Sequence, residues 1–114
     1  MKEIKAYIRP DRLPQVIGRL EEEGARDLTV TCVDAIGKLA DSEEYRLRIF
    51  RKHWEKYSSV AKIEIVCSDG EVDRFVGVLR EASYTGERGD GRIFVVNVER
   101  AINVRTGVEG EAAL

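Results

Sequence analysis

A chain of 114 residues with 43% apolar and 35% charged side chains has the size and composition of one globular domain, not of a disordered or fibrous protein. Its net charge of −2 lacks the basic surface that nucleic-acid binding requires, and no apolar run is long enough to cross a bilayer. The N-terminal residues alternate charged and apolar side chains without a signal-peptide core, so we expect a cytoplasmic protein.

The N-terminal third predicts a strand, a helix and a second strand. Residues 4–8 alternate apolar and polar side chains, as is typical of a strand buried on one face. Pro10 ends this strand, Asp11 is a candidate helix cap, and Gly24 is a candidate helix stop. The apolar stripe of the helix consists of Leu13, Val16, Ile17 and Leu20. Residues 28–36 alternate again and are rich in β-branched side chains, which predicts the second strand.

The remainder of the chain predicts a long loop and then a second strand–helix–strand unit. Residues 38–59 are charged and lack a clean period, so we expect a loop, whose second half could form an amphipathic helix with Leu47, Phe50 and Trp54 on one side. Residues 60–67 predict a strand, and Asp69 is a candidate cap for the next helix. The apolar stripe of that helix consists of Val72, Phe75, Val76 and Leu79. A last strand is predicted over residues 92–99.

This order of elements predicts one α+β domain, residues 1–114, with the ferredoxin-like βαββαβ arrangement. Such a domain has an antiparallel sheet with both helices on one face. The other face would then carry Tyr7, Val33 and Phe94, and an exposed apolar face is usually an association surface. We therefore expect a homo-oligomer.

Cysteine and histidine usage argues against a metal site. Cys32 and Cys67 each lie in an alternating apolar run, and the single histidine, His53, has no Cys-x-x-Cys pair to accompany it. We predict two buried reduced thiols, a solvated histidine and no metal.

The stretch "TGERGDGR", residues 85–92, suggests either a turn or an anion cradle. Its three glycines permit positive φ, so that successive amides can converge on an anion, and its arginines add charge. The pattern is not a P-loop, and Gly-Asp-Gly is above all a turn signal, so the stretch alone favours a turn. A second glycine–arginine element, "RTG" at residues 105–107, favours the cradle.

These two elements closely resemble the pattern of the PII signal-transduction family, as do "MKEIKAYIRPDRL", "LTVTCVDAIG" and "KIEIV". The resemblance covers residues 1–37 and 61–114. It implies a homotrimer, not an enzyme and without a catalytic cofactor, that binds ATP or ADP in clefts between subunits. It implies that one cleft wall comprises Gly86, Gly89, Asp90, Gly91 and Arg92, with Arg105 reaching in from the C-terminal segment, residues 105–114. By the same matching, the neighbouring wall comprises Thr29, Gly37, Lys38 and Glu64.

The long loop, residues 38–59, corresponds in this resemblance to the protruding segment by which family members grip their targets. Tyr45 resembles a family tyrosine, although an exposed or packing tyrosine is the ordinary case. Basic side chains nearby could bind a small anion such as bicarbonate or an acidic partner. The predicted effector and partner residues are Tyr45, Arg46, Arg48 and Arg51.

Four positions depart from the family pattern. Leu39 replaces a glutamine that helps hold magnesium and 2-oxoglutarate, and a leucine has no oxygen for a hard cation. Val60 replaces a lysine at the loop base, Asn103 replaces an arginine, and Ala35 replaces a glycine. We therefore expect a sensor of ADP, ATP or AMP that does not sense 2-oxoglutarate and has a possible link to bicarbonate metabolism. The alternatives are a nitrogen-regulatory PII protein that senses 2-oxoglutarate and a trimeric scaffold with a vestigial nucleotide site.

Overall fold

Four strands form one antiparallel sheet in the order β2-β3-β1-β4, which confirms the predicted ferredoxin-like arrangement. The computed structural model describes residues 1–36 and 58–114. The elements are β1 (Lys2–Ile8), α1 (Leu13–Glu22), β2 (Leu28–Ala35), β3 (Ser58–Cys67), α2 (Val72–Ser83) and β4 (Gly91–Asn97). Within the described ranges, no helix is both long enough and apolar enough to span a membrane.

Both helices pack on the same face of the sheet. Alternate side chains of the central strands point toward them and are buried, namely Ile4, Ala6, Ile8, Ala61, Ile63, Ile65 and Cys67. The helices complete this core with Val16, Leu20, Phe75, Val78, Leu79 and Ala82. Each large aliphatic side chain buried in this way contributes about 1.5–3 kcal/mol relative to an exposed one. The period of two in the strands and the helical stripes therefore account for the layer structure.

The end of α1 forms as the sequence predicts. Gly24 has a φ of 90°, in the left-handed region that favours glycine. The amide of Gly24 donates to the carbonyl oxygen of Glu21 at 3.0 Å, and the amide of Ala25 donates to that of Leu20 at 2.9 Å. These two bonds are a Schellman motif, which satisfies the last carbonyl groups of the helix and turns the chain toward β2.

Neither aspartate that was predicted as a helix cap has that role. Asp11 lies inside the 3₁₀ turn Pro10–Arg12, and the N-cap residue of the helix that follows, Arg12, makes no side-chain cap hydrogen bond. Ser68 caps the 3₁₀ turn Asp69–Glu71 that leads into α2, and its amide and hydroxyl both donate to the carboxylate of Glu71, at 3.1 and 2.8 Å. The α-helix itself begins after Glu71, whose side chain makes no cap hydrogen bond. Asp69 instead pairs with the N-terminal amine at 2.9 Å. The capping residue is Ser68 and not Asp69 because a 3₁₀ turn that starts at Asp69 precedes the helix.

Ser83, the last residue of α2, has a buried hydroxyl with no hydrogen-bond partner among the described residues. We expect Ser83→Ala to raise the free energy of unfolding by about 1 kcal/mol, because an unpaired buried hydroxyl costs about 1–3 kcal/mol. Ser68→Ala is the matched control and should lower it by about 1 kcal/mol, since it removes a helix cap. Urea denaturation measures both, and a Ser83→Ala protein as destabilised as the control would contradict the prediction.

The two cysteines have different environments. Cys67 is buried in the core, and burial raises the pKa of its thiol. Cys32 is exposed, so the prediction of two buried thiols was wrong for this residue. The reason is that β2 is an edge strand, and its helix-facing side chain at Cys32 lies outside the core formed by β1, β3 and the helices.

The boundary between the predicted long loop and β3 also differs from the prediction. The strand begins at Ser58, two residues before Val60, because its ladder with β2 continues to the pair Ala35–Ser58. The last two residues of the predicted loop, 38–59, therefore belong to the sheet. The rest of that loop lies outside the described residues.

The sheet face opposite the helices mixes apolar and charged side chains. Tyr7 and Phe94 meet edge to face, with their ring centroids 5.9 Å apart, and Tyr7 also packs with Val33 against Val60. Two ion pairs lie on the same face, at 3.5 and 2.7 Å, namely Lys5–Glu3 and Lys62–Glu64. This face is therefore amphipathic, and the homo-oligomer stays a prediction.

Candidate functional site

Positive φ angles at three glycines shape the connection between α2 and β4. Gly86, Gly89 and Gly91 have φ values of 87°, 90° and 114°. A Cβ atom at Gly91 would overlap the carbonyl oxygen of Tyr7 on the neighbouring strand. A Cβ atom at Gly86 would lie 3.2 Å from the hydroxyl of Tyr84. The path of the chain therefore requires glycine at position 91 and favours it at positions 86 and 89, whether or not a ligand binds.

Asp90 is the centre of the hydrogen bonds that hold this glycine loop, residues 84–91. Its Oδ2 accepts hydrogen bonds from the amides of Thr85 and Gly86, both at 2.9 Å. Its Oδ1 accepts from the hydroxyl of Thr85 and from Nε of Arg9, the latter at 3.1 Å. The carboxylate therefore binds the first amides of the loop from within. An external anion would meet the later part of the turn and the flanking side chains.

Asp90 is held in its charged form. Partial burial disfavours ionisation, but the hydrogen bonds from Thr85, Arg9 and Gly86 outweigh it and lower the pKa of Asp90 from 3.8 to about 2. At neutral pH the carboxylate is ionised, and the guanidinium of Arg9 balances its charge. Asp90 thus shapes the loop, whereas the family resemblance implies only that it lies in the cleft wall.

Arg9 is a candidate site residue that the sequence interpretation missed. Besides its bond to Asp90, it donates from Nη2 to the carbonyl oxygen of Arg88. The antiparallel register of β1 and β4 pairs Ile8 with Gly91. The residue after Ile8 must then lie beside the residue before Gly91. The sequence interpretation did not extend the pairing of β1 with β4 by one residue beyond Ile8 and Gly91, which would have placed Arg9 beside Asp90.

Arg92 follows the glycine loop as the second residue of β4. It pairs with Tyr7 of β1, which places it on the open face of the sheet, and its side chain is exposed. An exposed guanidinium one residue beyond the turn is free to orient toward an anion that the loop binds.

Thr29 and Glu64 lie together in another part of the sheet. They form one antiparallel pair between β2 and β3, and both line a cavity of about 330 Å³ that Val66 and Leu114 also border. The Glu64 carboxylate accepts a hydrogen bond from the ammonium of Lys62, with the two atoms 2.7 Å apart. This bond lowers the pKa of Glu64 and raises that of Lys62.

Within one chain, Thr29 and Glu64 do not share a site with the glycine loop. Thr29 lies on β2 and Arg92 on β4, which are the two edges of the four-stranded sheet. Three strand spacings separate these edges, or about 14 Å. Within one chain, a single site that used both groups of residues would have to span this distance.

Arg105 lies in a tight turn near the C-terminus. The side-chain oxygen of Asn103 accepts hydrogen bonds from the amides of Arg105 and Thr106, at 3.0 and 3.1 Å. The amide of Gly107, whose φ is 72°, donates to the carbonyl oxygen of Asn103 at 2.8 Å. Asn103 therefore stabilises the turn that exposes Arg105. The meeting of Arg105 with the glycine loop stays a prediction.

The other predicted site residues lie outside the described residues, and their roles stay predictions. They are Gly37, Lys38, Tyr45, Arg46, Arg48 and Arg51. Leu39 and His53 also fall in this part of the chain.

The model of the family described as nitrogen regulatory protein P-II matches residues 1–108. The nitrogen regulatory protein P-II 2 of Methanothermobacter thermautotrophicus is 40% identical, over the whole of this chain and 97% of that protein. The nitrogen regulatory protein P-II of Bradyrhizobium diazoefficiens is 39% identical and GlnK of Escherichia coli is 34% identical, both over the full length of each chain.

The ferredoxin-like sheet, the glycine loop before its last strand and the full-length matches define a class of small regulatory signal-transduction proteins. The chain belongs to the P-II family. Proteins of this family are regulators and not enzymes; they form trimers and act with effectors and regulated partner proteins. The family resemblance predicted from the sequence is thereby confirmed.

Proposed function

We propose that this chain is a homotrimeric regulator that binds an adenine nucleotide, ADP, ATP or AMP, in clefts between its subunits. The observation that carries this proposal is the preorganised glycine loop. Asp90 and Arg9 hold the loop in one shape through side-chain and backbone hydrogen bonds. A loop ordered before binding loses little conformational entropy when a phosphate group binds to its amides.

The two halves of the cleft come from opposite edges of the sheet. The glycine loop and Arg92 of one subunit would bind the phosphates, and the cavity beside Thr29 and Glu64 of the next would take the base. A closed ring of three subunits brings one edge of each sheet to the other edge of its neighbour. The carboxylate of Glu64 can accept a hydrogen bond from an exocyclic amine, which favours adenine.

The bound nucleotide would act on a partner enzyme or transporter through residues 38–57. A ligand controls such a segment by binding one of its shapes more tightly than another. The basic side chains there would also serve a small-anion effector such as bicarbonate, whose negative charge they complement. The residues proposed for these contacts are Tyr45, Arg46, Arg48 and Arg51.

A second candidate function is nitrogen regulation, which the names of the relatives favour. Its effector would be 2-oxoglutarate. The surroundings of Val60 argue against it. Val60 and Ala35 are buried in a small apolar cluster against Tyr7 and Val33. Bringing a dicarboxylate to this cluster would desolvate two charges without a cationic partner from these four residues, which is costly.

Titration calorimetry tests the nucleotide site directly. We expect ADP to bind, and Arg92→Ala and Arg105→Ala each to weaken binding about tenfold or more, since a hydrogen bond to a charged group contributes about 1.5–3 kcal/mol. Arg19→Ala is the matched control, because Arg19 lies on α1 and pairs with Glu81 at 2.9 Å. Wild-type affinity in both site variants would contradict the assignment.

A thermal-shift panel distinguishes the alternatives. It includes ATP, ADP and AMP, each alone, with 2-oxoglutarate and with bicarbonate, because a ligand that binds the native state raises its stability. Stabilisation by 2-oxoglutarate would favour the nitrogen-regulatory alternative. A trimer in analytical ultracentrifugation that no nucleotide stabilises would favour the scaffold.

A further inference from the structure

Arg9 reaches the glycine loop from the connection between β1 and α1. Its Nε lies 3.1 Å from Oδ1 of Asp90, and its Nη2 donates to the carbonyl oxygen of Arg88. Both members of the ion pair are partly buried, with side chains 21% and 23% exposed. The guanidinium of Arg9 therefore binds both the carboxylate of Asp90 and the backbone of the loop to the connection between β1 and α1.

The contacts of Arg9 continue through Asp90 to the beginning of the loop. The same carboxylate accepts hydrogen bonds from the Thr85 amide and hydroxyl and from the Gly86 amide. Arg9 is thus connected to the first residues of the loop through Asp90 and to its later part through Arg88. A bidentate guanidinium of this kind restricts geometry more than a point charge does.

Arg9 also balances a charge that is unfavourable at an anion site. The ionised carboxylate of Asp90 lies inside the loop, and a like charge close to a phosphate would repel it. With Arg9 in place the pair is neutral, so that Arg92 adds net positive charge at the end of the loop. Without Arg9, the Asp90 charge would offset that of Arg92.

We propose that Arg9 is a positioning residue of the nucleotide site, which holds the glycine loop in its binding shape and neutralises Asp90 without contacting the ligand. This inference rests on the proposed function. It assigns Arg9 an effect on affinity that passes through Asp90 and through the carbonyl group of Arg88.

ADP affinity in a set of variants tests this role. Arg9→Met keeps most of the side-chain length and removes the charge, and it should weaken ADP binding about tenfold. Arg9→Lys should lie between Arg9→Met and wild type, because lysine restores the charge but not the two-pronged geometry. Arg12→Met is the matched control from the same connection. Arg12 donates one bond at 3.0 Å, to the carbonyl oxygen of Ala82, and its variant should bind ADP as wild type does.

Two further measurements separate positioning from a general loss of structure. If Arg9 acts in part through Asp90, Arg9→Met should weaken ADP binding less in the Asp90→Asn background than in the wild-type background. Carboxyl NMR titration without nucleotide should show a higher pKa for Asp90 in Arg9→Met and no change in Arg12→Met.

The results that would overturn the proposal are distinct from those that would overturn the nucleotide site. Equal ADP affinity in wild type and Arg9→Met, or fully additive losses in the double variant, would refute the role of Arg9 while leaving the site intact. Failure of the wild-type trimer to bind any adenine nucleotide would refute the proposed function itself.

Discussion

Replacing Gly91 by alanine is expected to cost more than about 4 kcal/mol of unfolding free energy, a loss that ordinary surface substitutions do not reach. A Cβ atom there would overlap the carbonyl oxygen of Tyr7 and lie 2.8 Å from its carbonyl carbon and 3.2 Å from Cα of Ile8. All three are backbone atoms of β1, so no side-chain rotation relieves the clash. The strand pair β1–β4 would have to separate where β4 begins.

Alanine substitutions at two other glycines provide a scale for the loss of stability expected in Gly91→Ala. An alanine Cβ at Gly77 in α2 would meet no atom of the described residues within 4 Å, so Gly77→Ala should raise the free energy of unfolding by about 0.5–1 kcal/mol, because alanine favours a helix interior. Among residues 1–36 and 58–114, a Cβ atom at Gly86 would meet the movable side chain of Tyr84 alone, although the φ of 87° adds strain of about 1–3 kcal/mol to Gly86→Ala. Urea denaturation should therefore rank the variants Gly77→Ala, Gly86→Ala and Gly91→Ala in falling stability. A Gly91→Ala protein with wild-type stability would contradict the register of the sheet.

Protonation of Asp90 alone should lower the free energy of unfolding by about 2 kcal/mol at acid pH. The reason is that folding lowers the pKa of Asp90 from 3.8 to about 2, and each unit of such a difference corresponds to about 1.4 kcal/mol. The sign follows from proton binding. Between these two values the unfolded chain binds the proton and the folded chain does not, so stability falls as the pH falls. The contribution is complete above about pH 4 and is lost as the pH passes through 2.

Comparison with Asp90→Asn isolates this contribution. Other carboxyl groups with lowered pKa values, those of Asp69, Glu71 and Glu64, add to the acid sensitivity of the wild type and are unchanged in the variant. Urea denaturation from pH 2 to 7 should show a difference between the two proteins that is constant above pH 4 and shrinks toward pH 2. A difference that does not depend on pH would mean that Asp90 is not held ionised by its partners in the loop.

Local patterns predicted the helices, the strands and the glycine turn. Val16 and Leu20 of the first predicted stripe are buried, and so are Phe75 and Leu79 of the second. These predictions succeeded because the period of apolar residues within one segment decides which side of that segment avoids water. The sequence interpretation placed the cap at Asp69, one residue after Ser68, and an offset of one residue is usual for a boundary inferred from pattern.

The sequence by itself determined the order of elements, the strand side chains that face the helices and the positive φ of the loop glycines. Each of these depends on residues that are neighbours in sequence. The tertiary structure alone decided that Asp90 turns inward, that Arg9 binds it across 81 positions of sequence, and that Cys32 is exposed. These features depend on how the strands pair and on which strand forms the edge. A hydrogen bond between distant residues follows from the register of the sheet, and no local pattern of apolar and polar residues specifies that register on its own.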